Sequence, residues 1–378
     1  MDVGLPLIEM GQQRSARFAE GVRANTFQHQ RKLVSAKGQF VTTPNNDTLY
    51  SQAWLNLEKG PVIITVPDSA GRYYCIPFMD MYTNNFAMVG TRTSGNGPRS
   101  FMVVGPHDAT LNPMVIRSPT NWVWVLGRTL VDSEDDLPRA HAFQDGWQIS
   151  GAESSTLKAY AGRSAPWSEY FASVQELMNE SPPPVTDIRI LDSMAPLLRL
   201  GGTFDLKNFS ADQAKEIEEG ISDAKKILSQ ARGLGRVQNG WTYPRSSLGN
   251  FGQDYDYRAA VALGGLGGLT RVEAMYFRAL GPDSRGYDSA RNWRLTFSGE
   301  HYRRSTRFGR CRCIRLLLRG SSISWTIQSI ATRSEIAHRA SDAARMDLSI
   351  SGCREANRAQ RRTQTGCRRL PTEISRCC

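Results

Sequence analysis

Three stretches of the chain bring carboxylates, amides and aromatic rings close enough in sequence to do chemistry. The first is Asn45, Asn46, Asp47 and Tyr50, directly after Pro44. Asx side chains there can bond their own backbone and shape a turn into a strand. At the mouth of a β-sandwich the same carboxylate and amides could instead hold a ligand. The second is Asp80, Tyr82, Asn84 and Asn85, where Asp80 interrupts the apolar run Pro77-Phe78-Met79. A carboxylate buried unpaired is costly, so Asp80 requires a partner, and Arg72 is the expected cation. Left with a raised pKa, Asp80 would serve as a general acid or base. The third is Trp241, Tyr243, Arg245, Asn250, Asp254, Tyr255, Tyr257 and Arg258, with Gly240, Gly249 and Gly252 between them. Aromatic faces beside carboxylate and amide groups suit sugars and other polar ring-bearing ligands. The structural alternative is a helix-entry loop packing one domain on the next, with Asp254 as its cap.

Motifs that would name a reaction are missing. No H-E-x-x-H, C-x-x-C, G-x-S-x-G or G-x-x-x-x-G-K-[ST] occurs, which removes the specific cases for a zinc protease, a redox dithiol, an α/β-hydrolase and a P-loop enzyme. His29, His107 and His141 fall in loop, loop and helix contexts with no i, i+4 pair for a metal, so neither metal nor cofactor is expected. Cys75 sits in an apolar strand pattern and reads as a small buried hydrophobe. Gly264, Gly265, Gly267 and Gly268 lack the preceding strand of a phosphate cradle and fit close helix packing better. Two function classes stay open: a binding module for a small polar ligand, a glycan or a lipid headgroup, and a carboxylate-dependent hydrolase of glycosidase type using Asp47, Asp80 or Asp254, which requires two of them at roughly 5 to 10 Å.

These residues need elements to position them. Residues Gly4 to Glu20 carry a helical apolar pattern. From Gln39 strand-like runs follow one another: QFVTT, LYSQAWLNL, PVIITV, RYYCIPF, NNFAMV, RSFMVVG and NWVWVLGR, separated by turn clusters. Such spacing predicts an antiparallel sandwich or barrel. From Ser133 the period becomes helical. SEDDLPRAHAFQDGW has acids in its first turn, PWSEYFASVQELMNE starts with Pro, TDIRILDSMAPLLRLGG runs from a Thr cap to a Gly stop, and SADQAKEIEEGISDAKKILSQA opens with an S-x-x-Q capping box. After Gly233 come a Gly and aromatic stretch, the helix-like RAAVALGGLGGLTRVEAMYF and the strand-like NWRLTF.

Charge divides the chain. Of 378 residues, those from Tyr302 to Cys378 hold 17 Arg, no Lys and 5 acids, a balance of +12, while the first 301 carry 30 basic and 31 acidic groups. Six of the seven Cys lie in that tail. An Arg-rich segment could bind nucleic acid through phosphates or be a solvated, disordered extension. A third reading is that a GC-rich gene is translated out of frame there. Codons permitted for Tyr302 to Ile314, read from one base upstream, allow LPPVDAFWSLSMY. In the same frame Trp325 to Ala337 allows DNPIDRYAIGDR, and Arg362 to Leu370 allows NANWLPAP. Three protein-like segments in one constant frame favour a one-base loss or two-base gain near Glu300 to Tyr302, and a nucleic-acid role falls with the tail. No apolar run reaches the roughly 18 to 20 residues of a membrane span. MDVGLPLIEMGQQR has no secretory-signal pattern, so the chain as written would be cytoplasmic.

TTPNNDTLYSQAWLNL, VPDSAGRYYCIPFMDMYTNNF, SPTNWVWVLGRTLVDSEDDLPRAHAFQDGW and NGWTYPRSSLGNFGQDYDYRAAVALGGLGG resemble the paired domains of unknown function 1254 and 1214, over nearly all of residues 3 to 298. The resemblance implies an N-terminal β-sandwich, a small helical domain and a C-terminal jelly-roll-like β domain, in mainly bacterial and often exported or periplasmic proteins. The reframed segments are similar to the missing half of that last domain, and the start lacks the usual leader. The expected organisation is therefore mainly β with a helical middle: a β-sandwich domain with a leading helix at 1–132, a helical domain at 133–232, the truncated start of the jelly-roll-like domain at 233–300 and a disordered Arg- and Cys-rich tail at 301–378.

Overall fold

A computed structural model describes residues 3–34, 47–152, 157–195, 197–230, 235–238, 241–279, 293–297, 314–319, 322–328 and 348–352. Helix α1 (Gly4–Ala19) leads into nine strands: β1 (Gln28–His29), β2 (Thr48–Asn56), β3 (Val62–Val66), β4 (Tyr74–Met79), β5 (Asn85–Gly90), β6 (Arg99–Val104), β7 (Ile116–Arg117), β8 (Trp122–Leu130) and, after helix α2 (Leu137–Asp145), β9 (Gln148–Ser150). They form two sheets, ordered β1-β2-β8-β4-β5 and β7-β6-β3-β9. Every pairing is antiparallel except β6 with β7. The long expected strands from LYSQAWLNL to NWVWVLGR are present, while QFVTT lies outside the described residues. The two-residue strands β1 and β7 have no pattern to read, so His29, expected in a loop, sits in β1.

The centre is the β2–β8 pair, in register from Thr48 opposite Leu130 to Asn56 opposite Trp122. Both strands are buried along nearly their whole length, because each face is covered. On one face Ala53, Leu55, Val123 and Val125 pack against Val62, Ile64 and Val66 of β3 and Val103 of β6. On the other, the stacked rings of Trp54 and Trp124, 5.9 Å apart, meet Leu7, Ile8 and Met10 of α1 and Tyr170, Phe171 and Val174 of helix α3 (Trp167–Glu180). Each such large side chain contributes roughly 1.5–3 kcal/mol on burial. α1 approaches α3 closely enough that a Cβ on Gly11 would stand 2.7 Å from Leu177.

The helical stretch is shorter than its pattern predicts. Among the described residues of 186–202, helix α4 (Ile188–Asp192) is the one α-helix, since a proline has no N–H to donate and disfavours helix in the residue before it. Helix α5 (Ala211–Gln230) begins with the expected capping box: Ser210 Oγ accepts the Gln213 N–H at 3.2 Å and Gln213 Oε1 accepts the Ser210 N–H at 2.9 Å. Strands β10 (Arg236–Gln238) and β11 (Trp241–Tyr243) precede helix α6 (Tyr255–Gly264). The helical reading of RAAVALGGLGGLTRVEAMYF is corrected here. α6 stops at the glycines, and AMYFRA is strand β12 (Ala274–Ala279). Strands β13 (Trp293–Phe297), β14 (Ile314–Arg319), β15 (Ser322–Gln328) and β16 (Leu348–Gly352) follow, giving sheets β10-β11-β12-β15-β14 and β13-β16. Three stretches of the tail expected to be disordered are therefore strands, consistent with the β-branched and aromatic SISWTI. The rest of the tail lies outside the described residues.

At the end of β5, Gly90 has φ +146° and a Cβ there would lie 2.4 Å from the Tyr74 carbonyl oxygen. Backbone cannot yield as a side chain can, so Gly90→Ala is expected to destabilise by about 2–3 kcal/mol. Gly71→Ala, at φ +79° with nothing within 4 Å of the added carbon, is expected to lose about 1 kcal/mol. Urea unfolding midpoints at constant slope give both values.

Candidate functional site

The fold brings the second and third clusters together. Beyond a register shift at Phe78/Met79, the chain leaves β4 through a tight turn around Asp80, which is 1% exposed. Asp80 Oδ1 accepts the N–H groups of Tyr82 and Asn84, both at 2.9 Å, and Oδ2 accepts Asn84 Nδ2 at 3.2 Å. Thr83, inside the turn, has φ 67°, a strained conformation for a β-branched residue. The turn is then tied outward. Asn84 Oδ1 accepts the Phe251 N–H at 3.0 Å, the Asn85 N–H donates to the Gly249 carbonyl at 2.6 Å and Asn85 Nδ2 to the Gly268 carbonyl at 2.8 Å. The Tyr82 hydroxyl donates to the Ser181 carbonyl at 2.8 Å.

Arg72 is not the partner of Asp80. It grips Asp136 with two bonds of 2.6 and 2.8 Å and the Leu130 carbonyl with a third, and these bonds hold the Asp136 carboxyl down to about 2. The cation that acts on Asp80 is Arg258 of α6. Burial pushes the Asp80 carboxyl up to about 6, against the opposing pull of the Asn84 and Tyr82 bonds and the Arg258 charge. Arg258 is itself 1% exposed. Its Nη1 donates to Asp187 at 3.2 Å, and its guanidinium lies over Tyr255 at 4.8 Å and Tyr82 at 5.8 Å. Tyr255 also donates to Asp187, at 3.0 Å. The proline-flanked residues around Asp187 carry no pattern that marks it from sequence.

In the third cluster Arg245 joins Asp254 at 2.5 Å and Asp256 at 3.3 Å, and its guanidinium lies 5.0 Å over the buried Tyr257. Asp254 stands at the N-cap of α6 but gives its start no side-chain bond, because Arg245 and Ser247, the latter at 2.5 Å, take both carboxylate oxygens. The expected cap is thus a salt bridge. Trp241 and Tyr243 are buried in β11, and Asn250 is exposed. Gly267, at φ +81°, lets a turn lie against Leu126 and Trp124 of β8, so the glycine run makes a packed turn instead of a helix contact.

Asn45 and Asn46 lie outside the described residues. Asp47 accepts the Val131 N–H on its carbonyl, and Tyr50 is buried in β2 beneath Arg128, 5.6 Å away. Among the described residues no three His, Cys, Asp or Glu side chains gather as metal ligands. Cys75 is buried beside Leu130 and Leu269, and burial and the Glu273 charge push its thiol up to about 12. His29, held by Ser51 at 2.8 Å and stacked on Phe27, is brought down to about 4, chiefly by burial.

Residues 24–151, from ahead of β1 to just past β9, match the model of the family described as Protein of unknown function (DUF1254). Among solved structures the chain is similar to the VPA0106 protein from Vibrio parahaemolyticus, with a TM-score of 0.59 and 18% identity over 93% of this chain and 100% of that one. An uncharacterised protein from Burkholderia cenocepacia matches with a TM-score of 0.34 and 11% identity over 93% and 86% of the two chains. No curated protein matches. A segment with no assigned activity and a fold shared with the Vibrio protein are what these likenesses show. No helix of the described residues is long and apolar enough to cross a membrane.

Asp80 and His29 have opposite pH signatures. Native Asp80 keeps its proton to about pH 6 while its ordinary value is 3.8, so across that interval the native state binds more protons and stability falls as pH rises. His29 drops from 6.5 to about 4, and its contribution is full above the upper value and lost as pH falls towards the lower. In Asp80→Asn the Asp80 contribution is gone while the slopes of the other groups stay. Relative to wild type the variant therefore gains stability as pH rises from about 4 to 6, read by urea unfolding at stepped pH; parallel curves would contradict the assignment.

Proposed function

We propose that this is a bacterial ligand-binding protein of the exported type, with its site at the seam where the 80–85 turn, the 245–254 loop and α6 meet. The ligand is a small polar molecule, a glycan or a lipid headgroup that presents an oxygen pair. What carries this reading is the edge of Arg258 formed by Nε and Nη2, which is buried and has no hydrogen-bond partner among the described residues. That edge matches two coplanar oxygens, and a buried guanidinium left half satisfied costs several kcal/mol. Thr83 Oγ1 and Asn85 Oδ1 of the adjoining turn are likewise buried without partners, and strain at Thr83 is the kind that accumulates at binding sites. In this reading Asp80, Tyr82 and Arg258 line the site, Asn250 and Asp254 stand at its rim, and Tyr257, Trp241 and Tyr243 back it. Tyr50, beneath Arg128, is not part of this seam. The hydrolase alternative, through Asp47, Asp80 or Asp254, has no observation that favours it.

The finer architecture belongs to the same proposal: a β-sandwich formed by the first two sheets, and a second family domain, of unknown function 1214 and jelly-roll type, opening near residue 233 and broken by a change of reading frame near residue 300. Resequencing the gene across the codons for Asn292 to Ile314 decides the last point. A missing base or two extra ones are expected; an intact frame makes the Arg-rich tail a genuine appendage, to be tested by salt-dependent binding to nucleic acid.

For the ligand, thermal unfolding and calorimetry with phosphoethanolamine, glucose and N-acetylglucosamine are the direct test. One class is expected to raise the midpoint, with affinity weakened roughly 10- to 100-fold in Arg258→Met, the loss for a charged hydrogen-bond pair, and much less in Asn250→Ala at the rim. No response to any class, or equal affinity in Arg258→Met, sinks the proposal.

A further inference from the structure

A second buried arginine lies on the outer face of the central sheet. In β8, Val123 and Val125 point to the β3–β6 side, and Trp124, Leu126 and Arg128 to the other. Arg128 is 6% exposed, so its charge is inside the protein. Its electrostatic neighbours are Tyr276, Tyr50, Cys75 and Tyr73, and it forms no ion pair among the described residues. Nη2 reaches only the Gly267 carbonyl, at a long 3.4 Å, and Nε has no partner.

Among the described residues no anion nearby is left over for it. Glu273 is taken by Arg92 Nε at 2.5 Å and by the Tyr73 hydroxyl at 2.6 Å, so its carboxylate is already paired. The Cys75 thiol and Tyr73 phenol are held neutral by burial. Arginine cannot escape by losing its proton as a buried lysine can, and an unpaired buried ion costs several kcal/mol. An incoming carboxylate relieves that cost with two parallel bonds to the Nε–Nη2 edge. Leu126, two residues earlier on the same face of β8, and the cluster of Leu130, Leu269 and Met88 around Cys75 make this part of the sheet apolar.

We propose that Arg128 anchors a site for a small organic acid, bound through its carboxylate between β2, β4 and β8 and the turn at residues 266–276, separate from the Arg258 seam. The phenol ring of Tyr50 and the aliphatic neighbours favour a short aliphatic or aromatic acid over a sugar acid.

The test uses the full chain with sodium acetate and sodium benzoate as probes, against sodium chloride at equal ionic strength. Wild type and Arg258→Met are expected to show a carboxylate-specific rise in the unfolding midpoint, roughly 3 °C at ten times the dissociation constant, and Arg128→Met none. Should Arg128→Met fail to fold, Arg128→Lys is read instead, with affinity expected to drop about tenfold because a point charge replaces the two-pronged edge. Wild type responding no more to acetate or benzoate than to chloride overturns the proposal. So does a response undiminished in the Arg128 variants, whereas a response lost only in Arg258→Met assigns the acid to the other seam.

Discussion

The nine-residue pairing of β2 with β8 is the constraint on which the rest depends. A strand covered on one face can send alternate side chains to water; these two are covered on both. The second sheet takes one face through Val62, Ile64, Val66 and Val103, and α1, α3 and the turn at Gly267 take the other through Trp54, Trp124 and Leu126. Every polar side chain in the pair must then find its partner inside. Ser51 does so through His29 and Gln144. Arg128 has, among the described residues, one long bond and the face of the Tyr50 ring. Space is equally constrained: a Cβ on Gly127 would fall 2.4 Å from Trp147, so the tryptophan under the sheet and the glycine above it require one another.

The same double coverage explains why the polar seam is buried. The turn after β4 projects beneath residues 249–268 and is clamped there by Asn84 and Asn85. Asp80 spends its oxygens on its own turn, and Arg258 must share Asp187 with Tyr255. Compare Asp136, which meets Arg72 and Arg139 and is drawn to about 2, with Asp80, which has no ion pair and rises to about 6. Both carboxylates are buried by side-chain exposure, and what separates them is whether a guanidinium touches the oxygens. A family segment without assigned activity and a shared fold at 18% identity leave the chemistry of this seam to its own side chains.

Much of this was legible in the residues alone. The apolar runs of β2 to β6 and β8, the helical period of α1, α3 and α5, and the Ser210–Gln213 capping box depend on near neighbours in the chain, and local pattern reports them well. Cys75 reads correctly as a buried hydrophobe for the same reason. Grouping Asp80 with Asn84 was also a local inference, because the bonds that hold that carboxylate span four residues.

Tertiary structure decided the partnerships. Arg72 lies eight residues from Asp80 yet bonds Asp136, 64 residues away, because strand pairing, not sequence distance, places the guanidinium. Asp187 meets Arg258 across 71 residues, and nothing near either residue announces the other. RAAVALGGLGGLTRVEAMYF has the composition of one helix, but its glycines permit a turn and the edge of β11 offers β12 a ladder to complete, so a non-local pairing overrides local propensity. Sequence determined which segments are apolar and with what period; only the assembled layers decided which charges were shut in with a partner and which were shut in without one.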